Sequence, residues 1–239
     1  MFVKKFLEQA DNAMARRTKE EAQVTRERLL DAAEVIFRER GVTRTSLSEV
    51  AAAAGLTRGA VYWHFKDKAD LFRAMCDRAT LPLDAMFETT GSGTCSDPLG
   101  TLRALSIGAL QSLAGDQRAQ NVFEIVFHKS ELVDELAGLA SAHRQERCEC
   151  LTQIEDILRR GAELGQLPAD TDPRLATQAL HALMVGIMHE WVLDPAAYDL
   201  RAAAPAFIDI FIAGLKASPP RRAPPDAALP PPQAVAATL

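Results

Sequence analysis

The strongest constraint on this chain lies between residues 46 and 64, where two short helical segments are separated by a glycine turn. Ser46 and Glu49 stand three apart, the spacing of a capping box. The short helix they open buries Leu47, Val50 and Ala51. Gly55 ends it, and Thr57 is placed to cap a second helix from Arg58 to about His64. Two short helices with glycine at the turn are helix-turn-helix grammar. The second is too short to be a main core element, yet it carries Arg58, Tyr62, Trp63 and His64. A helix so loaded fits a DNA major groove, with its first turn at the base edges.

The flanking sequence supplies a frame for this pair. Leu29, Leu30, Ala33, Ile36 and Phe37 fall on one face at helical spacing, so a first helix is expected from Gln23 to Arg40, stopped by Gly41. Asp67 caps a long helix through Leu71, Phe72 and Met75, with Pro82 as an expected kink. Further helices are expected at Pro98–Leu113, Gln117–His128, Leu132–Leu164, Pro173–Val192 and Arg201–Leu215. Loops are marked by Gly91 to Thr94, by Gly115-Asp116 and by Gly165 to Pro168. No β alternation persists. The fold expected is all-α: an N-terminal three-helix head over residues 18–80 and a larger helical body over 81–217. Residues 1–17 read as a loose leader, with Met14 rather than Met1 as the natural start. Residues 218–239, rich in Pro and Ala, read as a disordered tail in which Arg221 and Arg222 are solvated.

Charge separates the two ends. The net charge of -5 argues against a general nucleic-acid coat. Residues 1–80, however, hold 15 Lys and Arg against 12 Asp and Glu, whereas residues 81–239 hold 12 against 20. A basic head on an acidic body points to DNA at one end only. No apolar run reaches the roughly 18 residues of a membrane span. Glu8 and Asp11 interrupt the apolar start before a signal-peptide core can form, so a cytoplasmic protein is expected, with Cys76, Cys95, Cys148 and Cys150 as thiols.

The 28 residues from Thr45 to Phe72, including Ser46, Glu49, Gly55, Thr57-Arg58-Gly59-Ala60, Tyr62-Trp63-His64-Phe65 and Lys68, resemble the DNA-binding signature of the TetR/AcrR family. The leading segment Ala15 to Ala22 is similar to the branch that represses multidrug efflux pumps. Weaker similarity continues through Asp97 to Gly100, Glu124 to Lys129, Gly165 to Pro168 and Trp191 to Pro195. The resemblance implies a ligand-responsive repressor: a homodimer on a palindromic double-stranded operator, released by a small hydrophobic inducer.

Chemistry at the head follows. Arg58 can fork onto guanine O6 and N7. Gly59 and Ala60 leave room for backbone approach, and Ala60 can touch a thymine methyl. Tyr62 and His64 can donate to phosphates, and Thr45 and Ser46 sit at a helix N-terminus suited to phosphate. Thr57 and Trp63 complete the expected contact surface, and Phe65 is expected to pack inside. By resemblance, the matching Tyr62 and Lys68 contact phosphates.

In the body, the family forms its dimer from the last two long helices. The stripes Leu180, Leu183, Met184, Ile187, Met188, Trp191 and Phe207, Ile208, Phe211, Ile212, Leu215 fit that role, with intrachain packing able to bury part of each. Matching segments imply a pocket lined by Leu102, Leu105, Phe123, Val126 and Phe127, with Cys150, Ile154, Met184, Val185 and Met188. The positions of Phe123, Phe127 and Val185 are polar in related repressors, which leaves His181 and His189 to orient a ligand.

Other chemistries are weaker. Glu124 and His128 have a chelating spacing, but Cys148 and Cys150, two apart on a helix, point about 200° apart and cannot easily share an ion, and neither metal nor cofactor is expected. No nucleophile elbow, phosphate loop or catalytic carboxylate pair stands out, so no enzyme is expected. The alternatives are an activator or a regulator of another pathway such as fatty-acid metabolism, a redox-responsive regulator using Cys148 or Cys150 beside Arg147, an all-helical carrier or enzyme, and a structural dimerisation module. The last leaves Arg58, Tyr62 and Lys68 unexplained.

Overall fold

The computed structural model describes residues 2–90, 96–129 and 137–222, with side-chain surroundings over 19–79, 96–129 and 150–222. In chain order the helices are α1 (Phe2–Arg40), α2 (Leu47–Ala53), α3 (Arg58–His64), α4 (Lys68–Thr90), α5 (Pro98–Gly115), α6 (Gln117–Glu124), α7 (Ala137–Glu163), α8 (Pro173–Leu193) and α9 (Leu200–Ala217). A π-helical turn, Ile125–Lys129, continues α6. No helix of the described residues is long and apolar enough to cross a membrane.

Helix boundaries follow local chemistry. Ser46, Thr57, Asp97, Asp116, Asp172 and Asp199 each accept a backbone N–H at the first turn of the helix that follows. Gly55 adopts φ +67° behind α2, and Leu56 N donates to Ala51 O at 2.8 Å. Two boundaries differ from expectation. α1 starts at Phe2 rather than Gln23 and takes in the backbone of residues 2–17, a stretch with no Gly or Pro to stop it. Residues 218–222 do not leave as a tail. Asp172 N donates to Pro220 O at 2.7 Å, Arg222 N donates to Asp170 O at 3.0 Å, and Arg221 pairs with the Asp170 carboxylate. Arg221 is thereby committed to the α7–α8 loop. The expected loop at Gly91 to Thr94 and the remainder of the tail, 223–239, lie outside the described residues.

The head closes around Leu29, Leu30, Ala33 and Phe37 of α1, Leu47, Val50 and Ala51 of α2, Val61, Phe65, and Leu71 and Met75 of α4. Burying each large side chain stabilises the fold by about 1.5–3 kcal/mol. The same core runs on through Ala79, Leu110, Leu113, Val122 and Ile125 into Met188, Trp191 and Ile208. Head and body therefore share one interior. A second core joins α5, α7 and α8 through Leu99, Leu102, Ile154, Leu158, Leu167, Ala176 and Leu180.

Polar contacts brace the head and tie it to the body as well. Arg78 of α4 donates to Glu27 at 3.1 Å, Asp31 at 2.7 Å and Glu34 at 3.2 Å, all on α1. Asn121 of α6 accepts from Arg38 and donates to Glu34, each at 2.7 Å. Val42 N donates to Lys129 O at 3.1 Å, which joins the loop before α2 to the end of the π turn. Gly41 makes that approach possible. Its φ is +84°, and a Cβ there would stand 3.3 Å from Lys129 O. Gly41→Ala is expected to lower the unfolding free energy by about 1–2 kcal/mol, the cost of a left-handed alanine plus the tight contact. Chemical denaturation checks this, and an unchanged midpoint would show that the joint relaxes freely.

Candidate nucleic-acid interface

Helix α3 is held by its ends. Thr57 Oγ1 accepts from Ala60 N at 3.3 Å, and Phe65 N donates to Val61 O at 2.9 Å. Val61 is the residue that anchors α3 in the core, while Phe65 is buried just beyond it, as expected. The opposite face is left to solvent. Arg58 and Gly59 are exposed, Tyr62 is 48% exposed and Trp63 72%. The Arg58 guanidinium lies 5.5 Å from the Tyr62 ring centroid, a cation–π contact that orients it on the open face. A Cβ on Gly59 would meet only Thr57 Oγ1, at 3.8 Å, so backbone approach there is open. Ala60 is half-buried. The half-buried His64 packs edge-on to Trp63 at 4.5 Å. Burial, and then the nearby Arg26 charge, hold its pKa below the usual histidine value. At neutral pH it is therefore a neutral donor or acceptor.

Beside α3 a groove of about 450 Å³ is lined by Thr43, Arg44, Ser46, Tyr62, Lys66 and Lys68, among others. Arg44 and Lys66 were not singled out from sequence. The signal was available, since both flank the motif residues as exposed-type cations.

Three expected contacts are used differently. Thr45 is only 2% exposed and its hydroxyl donates to Gly41 O at 2.8 Å, so its side chain faces inward rather than toward phosphate. Ser46 is exposed but its hydroxyl is spent in the capping box, donating to Glu49 Oε2 at 2.8 Å and accepting from Glu49 N at 3.3 Å. The Glu49 carboxylate thus sits at the α2 N-terminus, where phosphate was expected. Lys68 Nζ donates to Thr43 O at 3.3 Å and Thr45 O at 3.2 Å, which fixes the loop before α2. Its charge still lies on the groove.

The capping box has a pH signature. The Ser46 backbone and hydroxyl hold the Glu49 carboxyl below its ordinary value of 4.5, with a smaller contribution from Arg40. A lowered folded-state pKa adds stability above the unfolded value, and that stability is lost as pH falls through the folded one. The stability gap between wild type and Glu49→Gln is therefore expected to be constant from neutral pH down to about 5 and to shrink below 4.5. Denaturation at a series of pH values reads it, and a gap that widens in acid would contradict the assignment.

The expected pocket residues gather around α8 but in two cores. Leu102, Cys150 and Ile154 meet Met184 in the smaller one. Phe123, Val126, Phe127, Met184 and Met188 pack in the larger one. Met184 belongs to both. Leu105 is buried on α5, and His181 is half-buried on α8. Val185 departs from expectation, being 37% exposed on the outer face of α8. His189 meets Phe127 at 5.5 Å and His128 at 4.5 Å. His128 was passed over in sequence because only its spacing from Glu124 was weighed. Among the described residues no group of three or more His, Cys, Asp or Glu could hold a metal. Cys150 is half-buried, and the side chain of Cys148 lies outside the described residues.

The apolar stripes of α8 and α9 are covered in part within the chain. Leu180, Met188, Trp191, Ile208, Ile212 and Leu215 are buried within the chain, because α9 packs on α5 and α8 on α7. The large apolar side chains left exposed are Leu175, Val185 and Leu193 on α8 and Ile210, 71% exposed, on α9. Ala206 and Ala213, also exposed, stand one turn either side of Ile210 on α9.

Comparison with known proteins gives this architecture a family. The transcriptional regulator AcrR of Shigella flexneri is 39% identical over 199 residues, covering 83% of this chain and 93% of its own. The crystal structure of NalD, the secondary repressor of the MexAB-OprM multidrug efflux pump in Pseudomonas aeruginosa, superposes with a TM-score of 0.74 at 35% identity, covering 82% of this chain and 97% of that one. A complex of SmeT, from Stenotrophomonas maltophilia, with triclosan superposes with a TM-score of 0.70 at 36% identity, covering 80% and 91%. Residues 29–75 match the model of the bacterial regulatory proteins of the tetR family, and residues 97–217 match the C-terminal region of the MAATS-type transcriptional repressors. With a helix-turn-helix head and this helical body, the chain belongs to the TetR family of transcriptional regulators.

Proposed function

We propose that this protein is a cytoplasmic, ligand-responsive repressor of a multidrug efflux operon, acting as a homodimer on a palindromic operator. The observation that carries the reading is the open face of α3, where Arg58, Gly59, Tyr62 and Trp63 stand out on a seven-residue helix capped at both ends. Exposed aromatics on so short a helix serve no core. In this reading Arg58 reads a guanine edge while Tyr62, His64, Lys66, Lys68 and Arg44 face phosphates. Thr57 and Ser46 hold the two helices in register. Similarity to AcrR, NalD and SmeT supports the efflux operon as target.

One head makes too few base contacts to select a genomic site, so two are needed, about 34–36 Å apart. The apolar side chains exposed on α8 and α9, Ile210 above all, support the dimer. A hydrophobic compound between α5, α6, α7 and α8 favours a conformation with the heads wrongly spaced, and shifts the equilibrium only by its differential affinity.

The test is binding of purified protein to the intergenic DNA beside its own gene, at fixed salt, with and without a panel of hydrophobic drugs. Tight binding released by a drug is the expected result. Binding that no compound affects would remove the ligand class, and binding no tighter than to unrelated DNA would remove the operator.

A further inference from the structure

The π turn Ile125–Lys129 changes what its side chains face. In an α-helix successive side chains diverge by about 100°. A π turn holds more residues per turn, and such turns are concentrated at functional sites. Here the neighbours Phe127 and His128 both reach the same ring on α8, His189, at 5.5 Å and 4.5 Å. Phe123 stacks behind Phe127 at 5.5 Å. The corner is aromatic on three sides, and Phe123, Phe127 and Met184 are only partly buried against the core.

Within this corner His128 Nε2 is shielded from solvent and has no hydrogen-bond partner among the described residues. A shielded polar atom without a partner costs free energy, so a purely structural histidine is normally satisfied. A metal does not account for it, since two imidazoles lack a third donor among the described residues. Charge narrows the alternatives. Glu190 stands 3.5 Å from His189 Nδ1 and is exposed, so an incoming carboxylate would meet a like charge. A neutral hydroxyl on an aromatic ring meets none.

We infer that His128 is the polar anchor of the inducer site, with His189 as its positioning partner, and that it selects aromatic compounds bearing a free hydroxyl. The inference rests on the ligand-responsive reading above and names its ligand class. The ring packs on Phe123 and Phe127. The hydroxyl donates to the imidazole at Nε2.

The probes are triclosan, a chlorinated phenol, and its O-methyl ether, titrated calorimetrically into the full chain. Wild type is expected to bind the phenol about tenfold more tightly than the ether, a difference of roughly 1.4 kcal/mol. His128→Phe is expected to erase that preference, and His128→Gln, which keeps a hydrogen-bonding side chain, to restore part of it. Operator release should follow the same order. Equal binding of phenol and ether, a preference that survives in His128→Phe, or no binding of triclosan would each overturn the assignment. A hydroxyl-free cationic dye separates the two readings. Release of operator by the dye, where triclosan fails to bind, overturns the anchor and leaves ligand responsiveness standing. Release by neither overturns both.

Discussion

Arg58→Ala is expected to lower operator affinity by about 30-fold to 10⁴-fold while leaving the fold intact. The side chain is exposed at the first turn of α3, and its one aromatic contact is the Tyr62 ring at 5.5 Å. The caps that hold the helix, Thr57 and Phe65, do not involve it. Stability should therefore change by no more than about 0.5 kcal/mol. A bidentate arginine–guanine pair contributes about 1–3 kcal/mol of discrimination, and a symmetric dimer loses two. Fluorescence anisotropy at fixed salt, on operator and on scrambled DNA, separates the possibilities. Loss confined to the operator marks base readout. An equal loss on both sequences would reassign Arg58 to phosphate.

Ile210→Glu is expected to convert the dimer into monomers at micromolar concentration and to lower operator affinity by more than about 100-fold. Ile210 is the most exposed large apolar side chain on α9, and Leu175, Val185 and Leu193 are exposed on α8. A two-fold interface repeats any substitution, so two carboxylates would be buried without partners, each costing several kcal/mol. Ile208 gives the contrast. It is fully buried inside the chain, and its replacement should unfold the body rather than split a dimer. Sedimentation velocity reads the outcome. A dimer that survives Ile210→Glu would place the interface elsewhere.

The two predictions differ in how much of their basis the sequence held. Arg58 was legible from local order alone. Ser46, Glu49, Gly55 and Thr57 fix the ends of α2 and α3 by contacts within four or five residues, and such contacts follow from residue type and spacing. The same holds for the body helices, whose starts are set by Asp97, Asp116, Asp172 and Asp199. Glycine at position 41 likewise announced the end of α1, and the structure uses it there at φ +84°.

Ile210 was not legible. The sequence showed two apolar stripes on α8 and α9 but could not say what covered them. Periodicity identifies the face that avoids water and is silent on whether the cover is the same chain or a second copy. Packing on α5 and α7 buries Leu180, Met188, Trp191, Ile208, Ile212 and Leu215, leaves Leu183, Ile187, Phe207 and Phe211 half-buried, and leaves Ile210 outside. The hydrogen bonds of Lys68 and Thr45 to Thr43 O and Gly41 O were hidden for the same reason: they exist only once the loop before α2 has its shape. The π turn and the meeting of His128 with His189 across 61 positions lie furthest from local rules. The sequence by itself determined most helices, their caps and the short exposed helix α3, because these depend on near neighbours. Only the tertiary structure decided which faces remain open and which polar atoms lack partners, because those depend on what distant segments bring against them.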